Sequence, residues 1–232
     1  MSLILNNKRL KPGRQSLDIL LRKHGIELKP DTLDKLWLFH GLLREHNKDQ
    51  DLTRLNAFET IVEKHYADCI IINSFVKKWP EKMLDIGSGA GFPGIPLKLV
   101  NPHINLILCE PRPNRINFLE MAIKKLGLQG ISVFGHKVTS ASMKEPVDGV
   151  ICRAFGSIAE TLPRLGNSLK KGGRAYFMKG PAVKEELDNW NSTEYKIAET
   201  HFYVIPNSVQ KRALIVLERL STPFGKVTPL SL

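Results

Sequence analysis

The stretch LDIGSGAGFPG, residues 84–94, decides the fold of this chain. It begins in a short apolar run, residues 82–86, and leads into a segment with helical spacing. It therefore predicts a strand that turns into a helix through a glycine-rich loop. Glycine adopts backbone conformations that other residues avoid, and it lets the backbone pass close beneath a ligand. We therefore expect a flat or phosphate-bearing ligand to bind over Gly87 and Gly89.

An acidic residue supports this ligand site. Glu110 ends the next predicted strand, 23 positions after Gly87. In folds with such a loop, an acid at about this spacing accepts hydrogen bonds from the hydroxyls of a ribose. The loop and the acid together favour a nucleoside-containing cofactor over a glycine turn that serves only tight packing.

Two cofactors compete for the loop. Residues 89–94 satisfy G-x-G-x-x-G, the dinucleotide pattern, which alone is a weak signal for NAD. Asp85 extends the pattern to D-x-G-x-G-x-G, which is similar to the first motif of class I methyltransferases, where the loop meets the methionine part of S-adenosylmethionine. Pro93 and Pro96 remove amide donors from the first helical turns, which weakens a pyrophosphate cradle. The pattern favours S-adenosylmethionine.

The chain after residue 80 alternates short apolar runs with amphipathic stretches, which is typical of an α/β fold. The predicted helices are 94–100, 112–126, 158–169 and 182–189, with a short turn near Ser140. Since no helix separates the last two strands, that end of a mostly parallel sheet is expected to be antiparallel. The seven predicted strands are 82–86, 105–110, 130–134, 147–152, 174–178, 201–205 and 213–217.

The chain is expected to have three parts: a helical N-terminal region, residues 1–79, packed on a core, residues 80–220, and a tail, residues 221–232. Helices are predicted around Leu17 and after Pro30. A third is predicted from Asn56, where Glu59 three positions later resembles a capping box, in a run that extends toward Trp79.

The composition is that of a globular protein, with 232 residues, 42% hydrophobic and 25% charged. Thirty-four lysines and arginines against 23 acidic residues give a net charge of +11, which favours a polyanionic partner such as nucleic acid. The three cysteines stand apart from one another, so neither a disulfide framework nor a metal site is indicated. With no apolar stretch near the ~20 residues of a membrane span, we expect a cytoplasmic protein.

From about Asp51 to Leu217 the sequence resembles the bacterial GidB/RsmG family, the small-subunit methyltransferases that form N7-methylguanosine in 16S ribosomal RNA. The resemblance implies a class I, Rossmann-like fold with a seven-stranded sheet, S-adenosylmethionine as cofactor, and 16S ribosomal RNA or the small ribosomal subunit as partner. The loop followed by Phe-Pro-Gly-Ile-Pro is the most specific match. The matching segments are 51–53, 64–68, 87–97, 115–119, 152–155 and 179–180.

The resemblance also implies which residues bind the cofactor. The glycine loop would contact it directly, Glu110 would bind its ribose, and the segment after the third strand would contact its adenine. The family usually has a carboxylate where this chain has Thr139, so adenine recognition is expected to rest on backbone groups. The family also usually has a serine where this chain has Cys152, so no hydroxyl role is expected at that position. The predicted cofactor-binding residues are Asp85, Gly87, Gly89, Phe92, Glu110, Val138, Thr139 and Arg153.

Methylation at N7 of guanine needs no general base, since N7 carries a lone pair and no proton at neutral pH. Arg153 and Lys179 are therefore predicted to position reactants, and Lys137, Lys179 and Arg212 to bind RNA phosphates. Arg153 fits a contact with guanine, with the RNA backbone or with the cofactor carboxylate, or a salt bridge to an acid on a neighbouring helix. Lys179 also fits a solvated lysine at a strand end.

Other assignments stay open in the sequence. Phe155 is as compatible with core packing as with stacking on a base or cofactor. His65 and Asp68 share a helical face, which fits either contact with the core or contact with RNA. The basic N-terminal arm, residues 8–14, fits an RNA contact or a solvated tail.

Three rival functions accompany the main prediction. The first is methyl transfer to a small molecule or a protein, and the second is an NAD-dependent oxidoreductase, which Asp85 disfavours. The third is a non-catalytic RNA-binding assembly factor that keeps an inactive cofactor site.

Overall fold

A seven-stranded sheet forms the centre of the computed structural model, which describes residues 10–140 and 142–222. The strand order is β3-β2-β1-β4-β5-β7-β6, and β1 to β5 are parallel. Strand β7 runs antiparallel to both of its neighbours, so the predicted antiparallel end is confirmed. The strands are β1 (Lys82–Ile86), β2 (Asn105–Cys109), β3 (Ile131–Phe134), β4 (Val147–Arg153), β5 (Leu169–Lys179), β6 (Tyr195–Val204) and β7 (Lys211–Arg219).

Helices cover both faces of this sheet. On one face, α5 (Gly94–Val100) and α6 (Pro113–Lys125) pack against β1, β2 and β3. Proline at the first position of α6 suits a helix start, because that position lacks an intrahelical acceptor. On the other face lie α7 (Ile158–Leu165), which begins at a capping box between Ser157 and Glu160, and α8 (Val183–Asp188).

The N-terminal helices pack on the same face as α5 and α6. They are α1 (Arg14–Lys23), α2 (Pro30–Gln50) and α3 (Phe58–Ile61), which continues through a π-helical turn (Val62–Ala67) into α4 (Asp68–Ile70) and a 3-10 turn (Ile71–Ser74). One hydrophobic cluster contains Phe39 and Tyr66 from these helices together with Leu119 of α6 and Ile151 of β4. The helical region therefore shares its core with the sheet.

Two details of the predicted third helix are wrong. The residue that precedes α3 is Ala57, and no side chain caps the helix. Asn56 is engaged elsewhere, since its Oδ1 accepts a hydrogen bond from Arg44 Nη1 at 3.4 Å. The helical run ends at Ser74, before Trp79, whose indole Nε1 donates to Asn73 and whose ring packs on Tyr176 of the sheet.

In the part of the chain that the structure describes, no helix combines the length and apolar character needed to cross a membrane. The predicted basic arm lies partly outside the described residues, which begin at Leu10, and so does most of the predicted tail.

Candidate active site

The predicted site residues gather at the carboxyl edge of the parallel strands. The strand order reverses between β1 and β4, and ligands of open α/β sheets bind where such a reversal opens a crevice. Three loops meet there: residues 87–93 after β1, residues 110–112 after β2 and residues 154–157 after β4.

The glycine loop is shaped by close approaches. Gly87 has a φ of +71°, and a Cβ at this position would lie 2.7 Å from Cδ2 of Phe155. A Cβ at Gly94 would lie 2.3 Å from Cδ2 of Leu108 and 2.6 Å from Oδ2 of Asp85. Glycine is therefore required for backbone conformation and space at Gly87, and for space at Gly94.

Asp85 is completely buried beneath this loop. Its Oδ2 accepts a hydrogen bond from the amide of Gly94 at 3.0 Å, while its Oδ1 has no partner among the residues that the structure describes. Burial raises the pKa of this carboxyl to about 7. An unpartnered buried oxygen is costly, so the site favours a proton or a cationic ligand group beside Asp85.

Glu110 binds the same loop at a different amide, and it is also buried. Its Oε2 accepts from the amide of Gly89 at 3.1 Å and its Oε1 from the amide of Arg112 at 3.0 Å. A carboxylate offers about four lone-pair positions, so each oxygen keeps one for a further donor. Two ribose hydroxyls would fit this requirement. The two acids and the glycine loop therefore suit S-adenosylmethionine, which carries both ribose hydroxyls and positive charge.

The predicted adenine segment follows β3. Val138 is buried and Thr139 is exposed. The amide of Thr139 donates to Ser142 Oγ at 2.6 Å, and its carbonyl oxygen accepts from the amide of Ser142 at 3.1 Å. The backbone of Thr139 thus already has protein partners. Its contact with adenine stays a prediction.

Arg153 reaches toward the N-terminal helices. Its Nη1 donates to the carbonyl oxygen of Lys64 at 2.9 Å and lies 3.2 Å from Asp68 Oδ2, and its Nη2 lies 3.1 Å from His65 Nδ1. Of the contacts that the sequence left open for Arg153, the structure shows the salt bridge to an acid on a neighbouring helix. It also shows that His65 and Asp68 contact the core.

His65 is neutral in this arrangement. A guanidinium group only donates hydrogen bonds, so Nδ1 of His65 accepts from Arg153, and Nε2 carries the hydrogen and donates to Thr53 Oγ1 at 2.9 Å. Burial and the charge of Arg153 lower the pKa of His65 to about 3. The Phe92 ring stacks on His65 with ring centroids 4.3 Å apart, and its side chain is buried. The contact of Phe92 with the cofactor stays a prediction.

The basic residues predicted to bind RNA have different surroundings. Lys179 Nζ lies 3.1 Å from both carboxylate oxygens of Glu186, and Arg212 Nε lies 3.1 Å from Asp68 Oδ1. Lys137 is exposed. Lys179 and Arg212 thus hold acids of the protein, and their RNA contacts stay predictions.

Sequence reasoning missed the turn that links Arg153 to the glycine loop. Ala154 has a φ of +54°, in the left-handed region that non-glycine residues rarely adopt. This turn sends Arg153 toward the helices and the Phe155 ring onto Gly87. Nothing in the residue type of Ala154 indicates such a conformation.

The comparisons with known proteins agree with this geometry. Residues 32–215 match the profile of the GidB family, described as rRNA small subunit methyltransferase G. The chain is 38% identical over 216 residues to ribosomal RNA small subunit methyltransferase G 2 of Syntrophobacter fumaroxidans, with 91% of this chain and 43% of that protein aligned. It is 32% identical over 212 residues to ribosomal RNA small subunit methyltransferase G of Lachnoclostridium phytofermentans, with 86% of each aligned. The chain thus spans less than half of the first relative and most of the second.

Solved structures show the same fold at low sequence identity. A SAM-dependent methyltransferase from Aquifex aeolicus superposes with a TM-score of 0.53 at 15% identity, covering 73% of this chain and 97% of that one. A ribosomal protein L11 methylase from Lactobacillus delbrueckii subsp. bulgaricus superposes with a TM-score of 0.52 at 14% identity, covering 68% and 79%. At these identities the likeness concerns the fold alone.

Proposed function

Because the chain belongs to the GidB family of ribosomal RNA small subunit methyltransferases, we propose that it methylates N7 of a guanosine in 16S ribosomal RNA. The family and the fold are those of methyltransferases that use S-adenosylmethionine. The observation that carries the proposal is the pair of buried carboxylates, Asp85 and Glu110, which bind two amides of the glycine loop. A ribosomal RNA substrate also implies that the protein acts in the cytoplasm, on the free RNA or on the small subunit.

S-adenosylmethionine supplies an electrophilic methyl group. The guanine N7 has a free lone pair and no proton to lose, so no side chain has to act as a general base. The protein has to hold two reactants in line, and such orientation is worth on the order of 7–11 kcal/mol. Glu110 would bind the ribose hydroxyls, and the free oxygen of Asp85 would face positive charge.

Arg153 and Lys179 act in this proposal as positioning residues. Each is mostly buried and bound to an acid of the protein, Asp68 and Glu186 respectively. Each also donates to a backbone carbonyl, Arg153 to Lys64 and Lys179 to Gly156. They hold the loop after β4 in place, and neither moves a proton.

The RNA phosphates would meet basic residues at the same edge of the sheet. Arg112 follows β2 and Lys137 follows β3, and both are exposed. Neither forms an ion pair with the residues that the structure describes, in contrast to Lys179 and Arg212. The net charge of +11 would attract RNA over a longer distance.

Methyl transfer from radiolabelled S-adenosylmethionine tests the proposal. The acceptors are naked 16S ribosomal RNA, assembled small subunits and total protein, and the labelled nucleotide is then mapped. We expect label in RNA as N7-methylguanosine. Label only in protein or small molecules would reject the RNA substrate, and tight binding of NAD without methyl transfer would reject the enzyme class.

Replacing Glu110 with glutamine should weaken the binding of S-adenosylmethionine about tenfold to a hundredfold, because hydrogen bonds to a charged group are worth about 1.5–3 kcal/mol. Titration calorimetry measures the affinity. Glu120→Gln is the matched control, since Glu120 is an exposed residue of α6. Unchanged affinity in the Glu110 variant would show that the acid only orders the loop.

Binding of a 16S RNA fragment should weaken steeply with salt, by ~0.7 log units per log unit of salt for each single-strand phosphate neutralised. Lys137→Gln should reduce this slope by about one contact. The matched control is Lys171→Gln, an exposed lysine near the opposite edge of the sheet. If the intact protein shows little salt dependence but binds the cofactor tightly, an acceptor other than nucleic acid becomes the better explanation.

A further inference from the structure

A single buried carboxylate connects the helical region to two strands of the sheet. Asp68 accepts from Arg153 Nη1 through Oδ2 at 3.2 Å and from Arg212 Nε through Oδ1 at 3.1 Å. Its side chain is only 5% exposed, against 17% for Arg153 and 23% for Arg212. Charged pairs with so little solvent are strongly coupled, and removal of one partner leaves the others uncompensated.

The two arginines belong to strands that are not neighbours. Arg153 ends β4 and Arg212 lies near the start of β7, with β5 between them in the sheet. Because β7 is antiparallel, its start lies at the same edge as the end of β4. Asp68 therefore fixes this edge from outside the sheet, across three strands.

The helix that carries Asp68 is adapted to this contact. The π-helical turn Val62–Ala67 ends directly before Asp68 and contains Lys64 and His65, which also bind Arg153. Such turns are rare and are often found at functional sites. The neutral His65 in turn donates to Thr53, so Arg153 is held from two segments of the helical region.

The turn after Arg153 transmits this restraint to the glycine loop. The left-handed Ala154 lies between Arg153 and Phe155, and Cδ2 of the Phe155 ring lies 2.7 Å from the position that a Cβ of Gly87 would take. A change in the position of Arg153 would therefore displace Phe155 relative to the glycine loop. The importance of this displacement rests on the proposed function, in which S-adenosylmethionine binds at that loop.

We propose that Asp68 is a positioning residue for methyl transfer: it holds Arg153, and through the Ala154 turn it sets the place of Phe155 over the cofactor loop. The helical region thereby contributes to the reaction without contact with the transferred methyl group. A misplacement of reacting groups by about 1 Å is enough to slow a reaction on the order of a hundredfold.

Asp68→Asn keeps the shape of the side chain and removes its charge. We expect kcat to fall about tenfold or more, with the KM for RNA changed by less than about threefold, because the loss concerns orientation rather than binding. The matched control is Asp148→Asn, which breaks the ion pair of Asp148 with Lys170 near the other end of β4 and should leave kcat unchanged. Thermal melting of each variant records how much of the change is stability.

Double variants test whether Asp68 acts through Arg153. If Asp68 acts through Arg153, Asp68→Asn combined with Arg153→Gln should be no slower than Arg153→Gln alone. Additive losses, or a kcat of Asp68→Asn equal to that of the unchanged protein, would overturn the inference. If Asp68→Asn does not fold, Thr53→Val provides a second test, because it removes the hydrogen-bond acceptor of His65. This variant should show a smaller loss of kcat at unchanged KM, and an unaltered kcat of Thr53→Val would also overturn the inference. Failure of the unchanged protein to bind S-adenosylmethionine would instead reject the proposed function.

Discussion

Replacing Gly87 with valine should remove measurable binding of S-adenosylmethionine while the chain stays folded. The φ of +71° is unfavourable for a β-branched residue, and the new Cβ would lie 2.7 Å from the Phe155 ring, at the surface where the cofactor should lie. The Phe155 ring is the flexible partner in this contact, so it has to move. Calorimetric titration measures binding, and circular dichroism with thermal melting measures folding.

Gly127→Val provides the matched control for backbone strain. Gly127 follows α6 with a φ of +61°, and a Cβ there would meet nothing within 4 Å. This variant should lose stability of about 1–2 kcal/mol from the left-handed conformation and keep its affinity for the cofactor. If Gly87→Val also keeps its affinity, the loop is only a packing turn and the cofactor binds elsewhere.

Replacing Asp85 with asparagine should change how stability depends on pH. Burial raises the pKa of Asp85 from 3.8 in the unfolded chain to about 7, so the folded state holds this proton more tightly. Its contribution to stability is therefore fully present below about pH 4 and is lost as the pH rises through 7. A shift of this size corresponds to about 4 kcal/mol at most. The asparagine variant should gain stability relative to the unchanged protein across this range.

Denaturant unfolding at several pH values tests this expectation, with the difference between the two proteins as the measured quantity. The difference is needed because His40 and His65, with pKa values lowered by burial, destabilise the folded state as the pH falls below 6.5. Asp148→Asn is a control, since Asp148 lies near the sheet surface beside Lys170. The same variant of Asp85 should bind S-adenosylmethionine more weakly. A stability difference that does not depend on pH would show that Asp85 is ionised at little cost.

The parts of the fold with strong local signals could be predicted from the sequence. The bounds of β1 and α5 agree with the prediction, because an apolar run, a glycine loop and a proline mark them closely. Strand β5 begins at Leu169, five residues earlier than predicted, because Leu169 pairs with Val147 of β4 before a shift in register, while Gly172 and Gly173 resemble a turn in the sequence. Sheet pairing here overrides local preference.

The same dependence on local sequence signals applies to the candidate site. The loop and its two acids are close in sequence or at a fixed spacing, so the sequence alone is enough to predict Asp85 and Glu110 as site residues. The partner of Arg153 lies 85 residues away and that of Arg212 lies 144 residues away. A basic residue at the end of a strand has the same sequence signal whether it pairs with a buried acid or with a phosphate.

The shared hydrophobic core has a consequence for how this protein can be divided. Phe39 and Tyr66 from the helices and Leu119, Ile151 and Leu214 from the sheet region belong to one buried cluster. A cut between residues 79 and 80 would leave apolar surface exposed on both fragments. The helical region therefore cannot be fused by itself to another methyltransferase to change its substrate. A chimeric enzyme would have to contain both the helices and the face of the sheet on which they pack.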